Sequence, residues 1–178
     1  MNVCIVSFSS RKNGNCAQIG EFVKSLFPNA KLYDFANFTI NACGNCDYQC
    51  FNGGSHCPYF ADKECEILDA ITNSALTYFI VPNYCDFPCS NFFVFNERSL
   101  CYFQNNEKQL TAYLQSPKKF IVVSNSNLEN FKTAFAYHTN DEPQILCVSA
   151  KKYGKSSVDG DVLTSKQAVA DLKKFITE

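Results

Sequence analysis

Four runs, "NVCIVSF" (2–8), "ALTYFIVP" (75–82), "KKFIVVSN" (118–125) and "QILCVSA" (144–150), are apolar at successive positions instead of alternating apolar with polar. A strand with one wet face alternates, so these runs must be covered on both faces. A weaker run, "AKLYDF" (30–35), makes a fifth. Helical patterns fill the gaps between them. Ile19, Phe22, Val23 and Leu26 fall at i, i+3, i+4 and i+7, and Leu128, Phe131 and Phe135 repeat the stripe, as do Val169, Leu172 and Ile176. Asp62 is a good N-cap for a helix that buries Ile67, Leu68 and Ile71. The segment 91–116, with Phe92, Phe93, Phe95 and "LTAYL", suits one or two helices. Strands alternating with helices imply right-handed βαβ units. The expected architecture is a doubly wound α/β fold: five parallel strands in the flavodoxin-like order 2-1-3-4-5, with helices on both faces. Ligands of such sheets sit beyond the carboxyl ends of strands 1, 3 and 4.

A length of 178 residues suits one domain over 1–178, with the unpatterned, Cys-rich stretch 40–61 as an insertion after the second strand. Sixteen Lys and Arg against 17 Asp and Glu leave a net charge of -1, which gives no field for nucleic acid or a membrane surface and points to small partners. No apolar stretch reaches the roughly 20 residues of a membrane span, and no basic-then-apolar leader opens the chain. A cytoplasmic protein is expected.

The first apolar run breaks into "SSRKNGN" (9–15) and then resumes as a helix. Ser9, Ser10, Arg11, Asn13 and Gly14 lie where the unpaired N–H groups of a helix starting at Asn15 or Cys16 converge, which is an anion site. An Asx turn with a solvated Arg11 explains the same residues equally well. After the third run, "PNYCDFPCS" (82–90) brings Pro82, Asn83, Tyr84, Cys85, Asp86 and Phe87 to the same sheet edge, where two aromatic faces could take a planar heterocycle or fold into the core. After the fourth, Ser124 and Asn125 offer small polar contacts. Three such loops on neighbouring strand ends together favour one ligand site.

Eleven cysteines, an odd number, argue against a full disulfide framework. Cys43, Cys46, Cys50 and Cys57 form C-x2-C-x3-C-x6-C, with His56 and Cys65 nearby. Three readings stay open: reduced thiols in a loop, an iron–sulfur cluster on the four Cys, or a zinc site using His56. Cys4, Cys147 and Cys101 read as packed core thiols, and His138 as structural.

"SSRKNGNC", "CGNCDYQC" with its following Cys and Asp62, and "PNYC" together resemble the NAD(P)H-dependent FMN reductase family of flavodoxin-like proteins, over roughly residues 2–125. The cysteine segment is similar to that of the family's iron–sulfur flavoprotein branch, which generally has two residues, not three, between its second and third Cys. The first stretch stands for the family's Ser-Pro-Arg-x-x-Gly-Asn-Thr phosphate loop, with Ser10 in place of Pro and Cys16 in place of the hydroxyl residue. Cys85 stands where Trp is common, and Asp86-Phe87-Pro88 replaces a Gly-rich continuation.

The resemblance implies that Ser9, Arg11, Asn15 and Cys16 hold the phosphate of flavin mononucleotide (FMN), and that Pro82, Asn83, Tyr84 and Cys85 line its ring. It implies an FMN-dependent oxidoreductase that takes hydride from NAD(P)H and passes electrons to a small-molecule acceptor such as a quinone or free flavin. No side-chain acid or base is needed for hydride transfer, so no catalytic residue is assigned. Two alternatives remain: an iron–sulfur flavoprotein relaying electrons without nicotinamide, and a non-enzymatic module of the same fold. The aromatic-rich run 87–103 exceeds what one helix face needs. Related proteins often pair near the flavin, and a homodimer is expected.

Overall fold

The computed structural model describes residues 1–44, 46–51, 57–104 and 106–178. In chain order it forms β1 (Val3–Ser7), α1 (Asn15–Leu26), β2 (Lys31–Asp34), α2 (Glu64–Thr72), β3 (Leu76–Tyr84), β4 (Phe87–Pro88), α3 (Ser90–Phe103), α4 (Glu107–Gln115), β5 (Lys118–Val123), α5 (Glu129–Phe135), β6 (Gln144–Val148) and α6 (Lys166–Thr177). The five expected strands all form on their apolar runs, with β3 continuing two residues past its run to Tyr84. They lie parallel in the order β2-β1-β3-β5-β6. This is the flavodoxin-like order 2-1-3-4-5 once β4 is set aside. The five-strand count needs one correction, because β4 pairs antiparallel with the end of β3 and makes a sixth, two-residue strand. Two residues carry no readable period, which is why the sequence conceals it.

Strand alternation divides the core into two layers. Cys4, Val6, Phe8, Phe79, Val81, Phe120 and Val122 face α2, α3, α4 and α5. Val3, Ile5, Tyr78, Ile80 and Ile121 face α1 and α6. The middle of each central strand, Val3 to Val6 in β1, Tyr78 to Val81 in β3 and Phe120 to Val122 in β5, is therefore apolar and buried on both faces, as a sheet covered on both sides requires. Phe8 is the hub of the first layer: its ring lies 5.2 to 5.5 Å from those of Phe35, Phe79, Phe92 and Phe95. Much of the unusual phenylalanine content is spent there, close under the carboxyl edge of β1. In α6 the buried stripe is Ala168, Leu172 and Ile176, shifted by one residue from the expected Val169 start.

Asp62 is not the N-cap of α2. The helix begins at Glu64 with Lys63 in the cap position. Asp62 Oδ1 does accept the Glu64 N–H at 3.1 Å, but Oδ2 takes the guanidinium of Arg98 at 3.0 Å and the Asn41 N–H at 3.0 Å. Arg98 is buried between Asp62 and Glu64 Oε2, the latter at 3.0 Å. A tertiary ion pair has recruited the residue that local rules would give to the helix.

Candidate functional site

The carboxyl ends of β1, β3 and β5 open into a cleft of about 310 Å³. Ser9, Arg11, Gly14, Asn15 and Cys16 line it from the first loop, Pro82, Asn83, Tyr84, Cys85 and Asp86 from the end of β3, and Ser124 and Asn125 from the end of β5. Three residues expected there lie elsewhere. Ser10 is exposed, and its Oγ accepts from Asn91 Nδ2 of α3 at 2.9 Å. Asn13 faces a separate groove with Lys12 and Gln18. Phe87 is half exposed and pairs with Tyr84 across the β3–β4 turn. Ser126, in the small polar stretch "SNSN" (124–127) that follows the fourth run, joins the wall as well, but the sequence gives no warning of Val123 and Ala150, nor of Ser157 and Val158, which arrive from the loop after β6.

One end of the cleft is built for an anion. Gly14 precedes α1 in extended conformation (φ -78°, ψ 170°), and no side chain caps the helix. The first N–H groups of α1 thus keep the positive end of the dipole open towards the cleft. The buried Ser9 hydroxyl accepts the Arg11 N–H at 3.2 Å, which leaves its own proton to donate. Burial, with Cys89 and Asp34 nearby, pushes the Cys16 thiol far up, so it brings no negative charge to the cradle.

The loop after β6 straps across this end. The Arg11 guanidinium donates to the Val158 carbonyl. Asn15 Nδ2 donates to the Ser156 and Ser157 carbonyls at 3.5 and 3.4 Å, and Asn15 Oδ1 accepts the Val162 N–H at 3.1 Å. Asn15 therefore spends its side chain on the strap, and the cradle relies on backbone groups and Ser9. Gly160 (φ +69°) is buried at the contact, where a Cβ would come within 2.1 Å of the Asn13 carbonyl oxygen. Only glycine satisfies both the left-handed backbone and the close approach.

The other end presents a ring face. Tyr84 is 53% exposed at the rim. Beyond it, Cys85 (φ 54°) and Asp86 (φ 65°) are the two central residues of the β3–β4 hairpin. Positive φ at both positions is what a two-residue type I′ turn demands, and neither residue is glycine. Such strain at a cleft edge persists only when neighbours hold it. Here the Asn130 side chain of α5 donates to the Asp86 carbonyl at 3.0 Å. Asn83 Nδ2 ties the turn to Ser124 Oγ at 2.6 Å and Ser126 Oγ at 3.0 Å. Asn125 Oδ1 accepts the Ser149 hydroxyl at 2.8 Å and the Lys151 N–H at 3.2 Å. The polar side chains lock loop to loop.

The candidate metal ligands lie apart from the cleft lining. Cys43 is exposed and Cys46, Cys50 and Cys57 are half-buried. Among the described residues no group of three or more His, Cys, Asp or Glu is arranged to hold a metal ion. His56, the fifth ligand considered for zinc, lies outside the described residues. Two core assignments are corrected: Cys101 and Cys147 are half-buried, whereas Cys4 is fully packed. His138 is buried, with its ring near those of Phe79 and Phe92. No described helix is long and apolar enough to cross a membrane.

No family model matches the chain, and no curated protein matches it. Solved structures do share its fold. The Trp repressor binding protein from Bacillus subtilis superposes with a TM-score of 0.65 at 12% identity, over 98% of this chain and 97% of that one. An FMN-dependent NADH-azoreductase from Bacillus anthracis, in complex with FMN, gives 0.63 at 11% identity, over 99% and 98%. An apo NADH:FMN oxidoreductase gives 0.54 at 12% identity, over 99% and 88%. At such identities the likeness is one of fold, and it extends along essentially the whole of this chain.

Proposed function

We propose that this chain is an FMN-dependent oxidoreductase that takes hydride from NAD(P)H and delivers electrons to a small acceptor such as a quinone or an azo compound. The observation that carries the reading is the pairing, within one cleft, of an uncapped helix N-terminus with an exposed tyrosine face beside a strained turn. Phosphate and isoalloxazine are the two halves of FMN, and those two features suit them in turn. The cleft volume falls in the range of small-molecule sites. Solved structures named as NADH:FMN oxidoreductase and FMN-dependent azoreductase share the fold, which supports the same reading.

FMN, once bound, accepts the hydride and releases electrons singly or in pairs; this chain binds and orients it. The N–H groups opening α1 and the Ser9 hydroxyl would hold the phosphate, and the uncharged Cys16 thiol sets no negative charge against it. Tyr84 would offer its face to the ring. The Cys85–Asp86 turn would supply backbone groups to the ring edge, where they would tune its electronics. Pro82 and Asn83 keep that edge in register with the loop after β5. The exposed Tyr84, Phe87 and Phe93 support a homodimer that would close over the ring.

Titrating FMN and riboflavin into flavin-free protein, followed by quenching of flavin fluorescence, tests the site. Binding of FMN well above riboflavin, and NADH or NADPH oxidation that depends on added quinone, is expected. Absence of FMN quenching overturns the reading. A visible spectrum taken without air separates flavin bands from the broad absorbance of an iron–sulfur protein.

A further inference from the structure

Two asparagines in the cleft wall have their amides oriented by neighbouring groups, and each is left with one unpaired end. Asn83 and Asn125 stand at the carboxyl ends of adjacent strands: Pro82 pairs with Val123, Asn83 follows the former and Asn125 lies just past the latter. Both line the cleft. Ser124 Oγ accepts the Ser126 N–H at 3.0 Å and gives its own proton to the Ser126 carbonyl at 3.3 Å. The Asn83 atom that meets this hydroxyl must therefore donate, which sets Nδ2 on Ser124 Oγ at 2.6 Å and on Ser126 Oγ at 3.0 Å. Both Nδ2 hydrogens are committed, and no described residue donates to Asn83 Oδ1. Asn125 is the converse case. It faces the Lys151 backbone N–H, which can only donate, at 3.2 Å and the Ser149 hydroxyl at 2.8 Å, so Oδ1 is the committed end. No described residue accepts from Asn125 Nδ2.

The cleft thus offers a fixed acceptor and a fixed donor on neighbouring loops. A ligand edge that answers both carries an N–H beside a carbonyl, the pattern of an imide. The oxidised isoalloxazine ring has one such edge, a single N–H set between two carbonyls on its uracil-like half, and its dimethylbenzene half has neither group. We propose, resting on the flavin reading, that Asn83 and Asn125 select the heterocycle by this imide edge: Asn83 Oδ1 accepts the ring N–H, and Asn125 Nδ2 donates to an adjacent ring carbonyl. The serines and the loop after β6 hold both amides in place before a ligand arrives, so little side-chain freedom remains to be lost on binding. A ring without that N–H leaves Asn83 Oδ1 facing it unpaired, which is how a polar site rejects a close analogue. The same pair sets which half of the ring lies against the loop after β5.

The test titrates flavin-free protein with FMN and with FMN methylated at its imide nitrogen, each followed by quenching of flavin fluorescence. The parent should bind the methylated compound roughly ten- to a hundredfold more weakly. Asn83→Ala should erase the difference between the two ligands. Asn125→Asp keeps the oxygen that receives Ser149 and Lys151 and exchanges only the free amide nitrogen for oxygen. It should weaken FMN by a similar factor while the melting temperature stays close to that of the parent. Equal binding of FMN and its methylated form by the parent overturns the assignment, and that comparison needs no variant to fold. An Asn125→Asp chain that binds FMN as tightly as the parent overturns it too. A parent that quenches neither flavin overturns the flavin reading and the assignment with it, an outcome distinct from a parent that binds both alike.

Discussion

Asn15 Oδ1 accepts the backbone N–H of Val162 at 3.1 Å across 147 positions of sequence, so the residue that opens α1 is also the latch of the strap after β6. Arg11 makes a second contact to the same strap through the Val158 carbonyl. The two residues nevertheless have different work to do. Asn15 is buried and its amide is fully committed, whereas the exposed Arg11 guanidinium can leave Val158 for an arriving phosphate.

Asn15→Ala should therefore loosen the strap, costing about 1–3 kcal/mol of stability and weakening FMN and riboflavin alike. Arg11→Ala should weaken FMN by about one to two decades and leave riboflavin nearly unchanged, because only a phosphate contact is lost. Parallel flavin titrations and thermal melts of the two variants check the division. Equal loss of both ligands in Arg11→Ala would place the phosphate elsewhere.

Gly160 and Gly154 share positive φ, at +69° and +66°, but differ in surroundings. A Cβ at 160 meets the Asn13 carbonyl oxygen at 2.1 Å, while a Cβ at 154 has nothing within 4 Å. Gly154→Ala should cost only the backbone term, about 1–2 kcal/mol. Gly160→Ala must also displace the first loop, so it should cost more and reduce FMN affinity as well. Denaturant midpoints and FMN titration of both variants measure the difference.

Buried titratable groups in the core make stability pH-dependent. Burial, with Lys118 nearby, holds His138 down to about 3, against 6.5 when unfolded. Between those values the unfolded chain binds the extra proton, so stability falls as pH falls through that window. Burial likewise lowers the Lys118 ammonium to about 7, against 10.5. Stability should therefore rise with pH from about 7 to 10.5. Glu64, raised to about 8 by burial even beside Arg98, contributes the opposite slope from 4.5 to 8. The readout is accordingly the change in slope of urea midpoints between parent and variant. His138→Phe should flatten the acid limb and Lys118→Met the alkaline one. An unchanged slope in either variant would show that its residue is not the titrating group.

Arg98→Met should cost about 3–5 kcal/mol, because it strands the Asp62 carboxylate in a part-buried site and leaves Glu64, held up by burial, without its donor. It also removes the donor that holds the carbonyls of Asn41 and Tyr59. Amide exchange should accelerate at residues 41–44 and 59–62 before it does in the sheet. Adding Asp62→Asn to the variant should recover part of the stability. A double variant no more stable than the single one would mean that Asp62 is not the stranded charge.

The elements that local periodicity controls were legible in the sequence. Apolar runs mark β1, β2, β3, β5 and β6, and the i, i+3, i+4 stripe marks α1, because burial on two faces or on one stripe must be written into neighbouring residues. The glycine and polar residues of the first loop and the aromatic loop after β3 are likewise visible, and strand order follows from the right-handed crossover rule. Asp62 shows where local reading stops: its capping propensity is genuine, yet burying Arg98 gains more from a carboxylate than the helix end does.

Other decisions needed the folded chain. The turn at Cys85 and Asp86 has no glycine to announce it, and its left-handed backbone is held from outside by Asn83 and Asn130. The strap from Ser156 to Val162 carries no periodic signal, and its role appears only when β6 sets it against the first loop. Cys101 reads as one more core thiol, and only the packing of α3 shows it to be half-buried. A chain can encode in neighbouring residues what each segment must bury. Which polar side chain meets which backbone group across more than a hundred positions depends on how the sheet places its loops, and that is decided only when the sheet has formed.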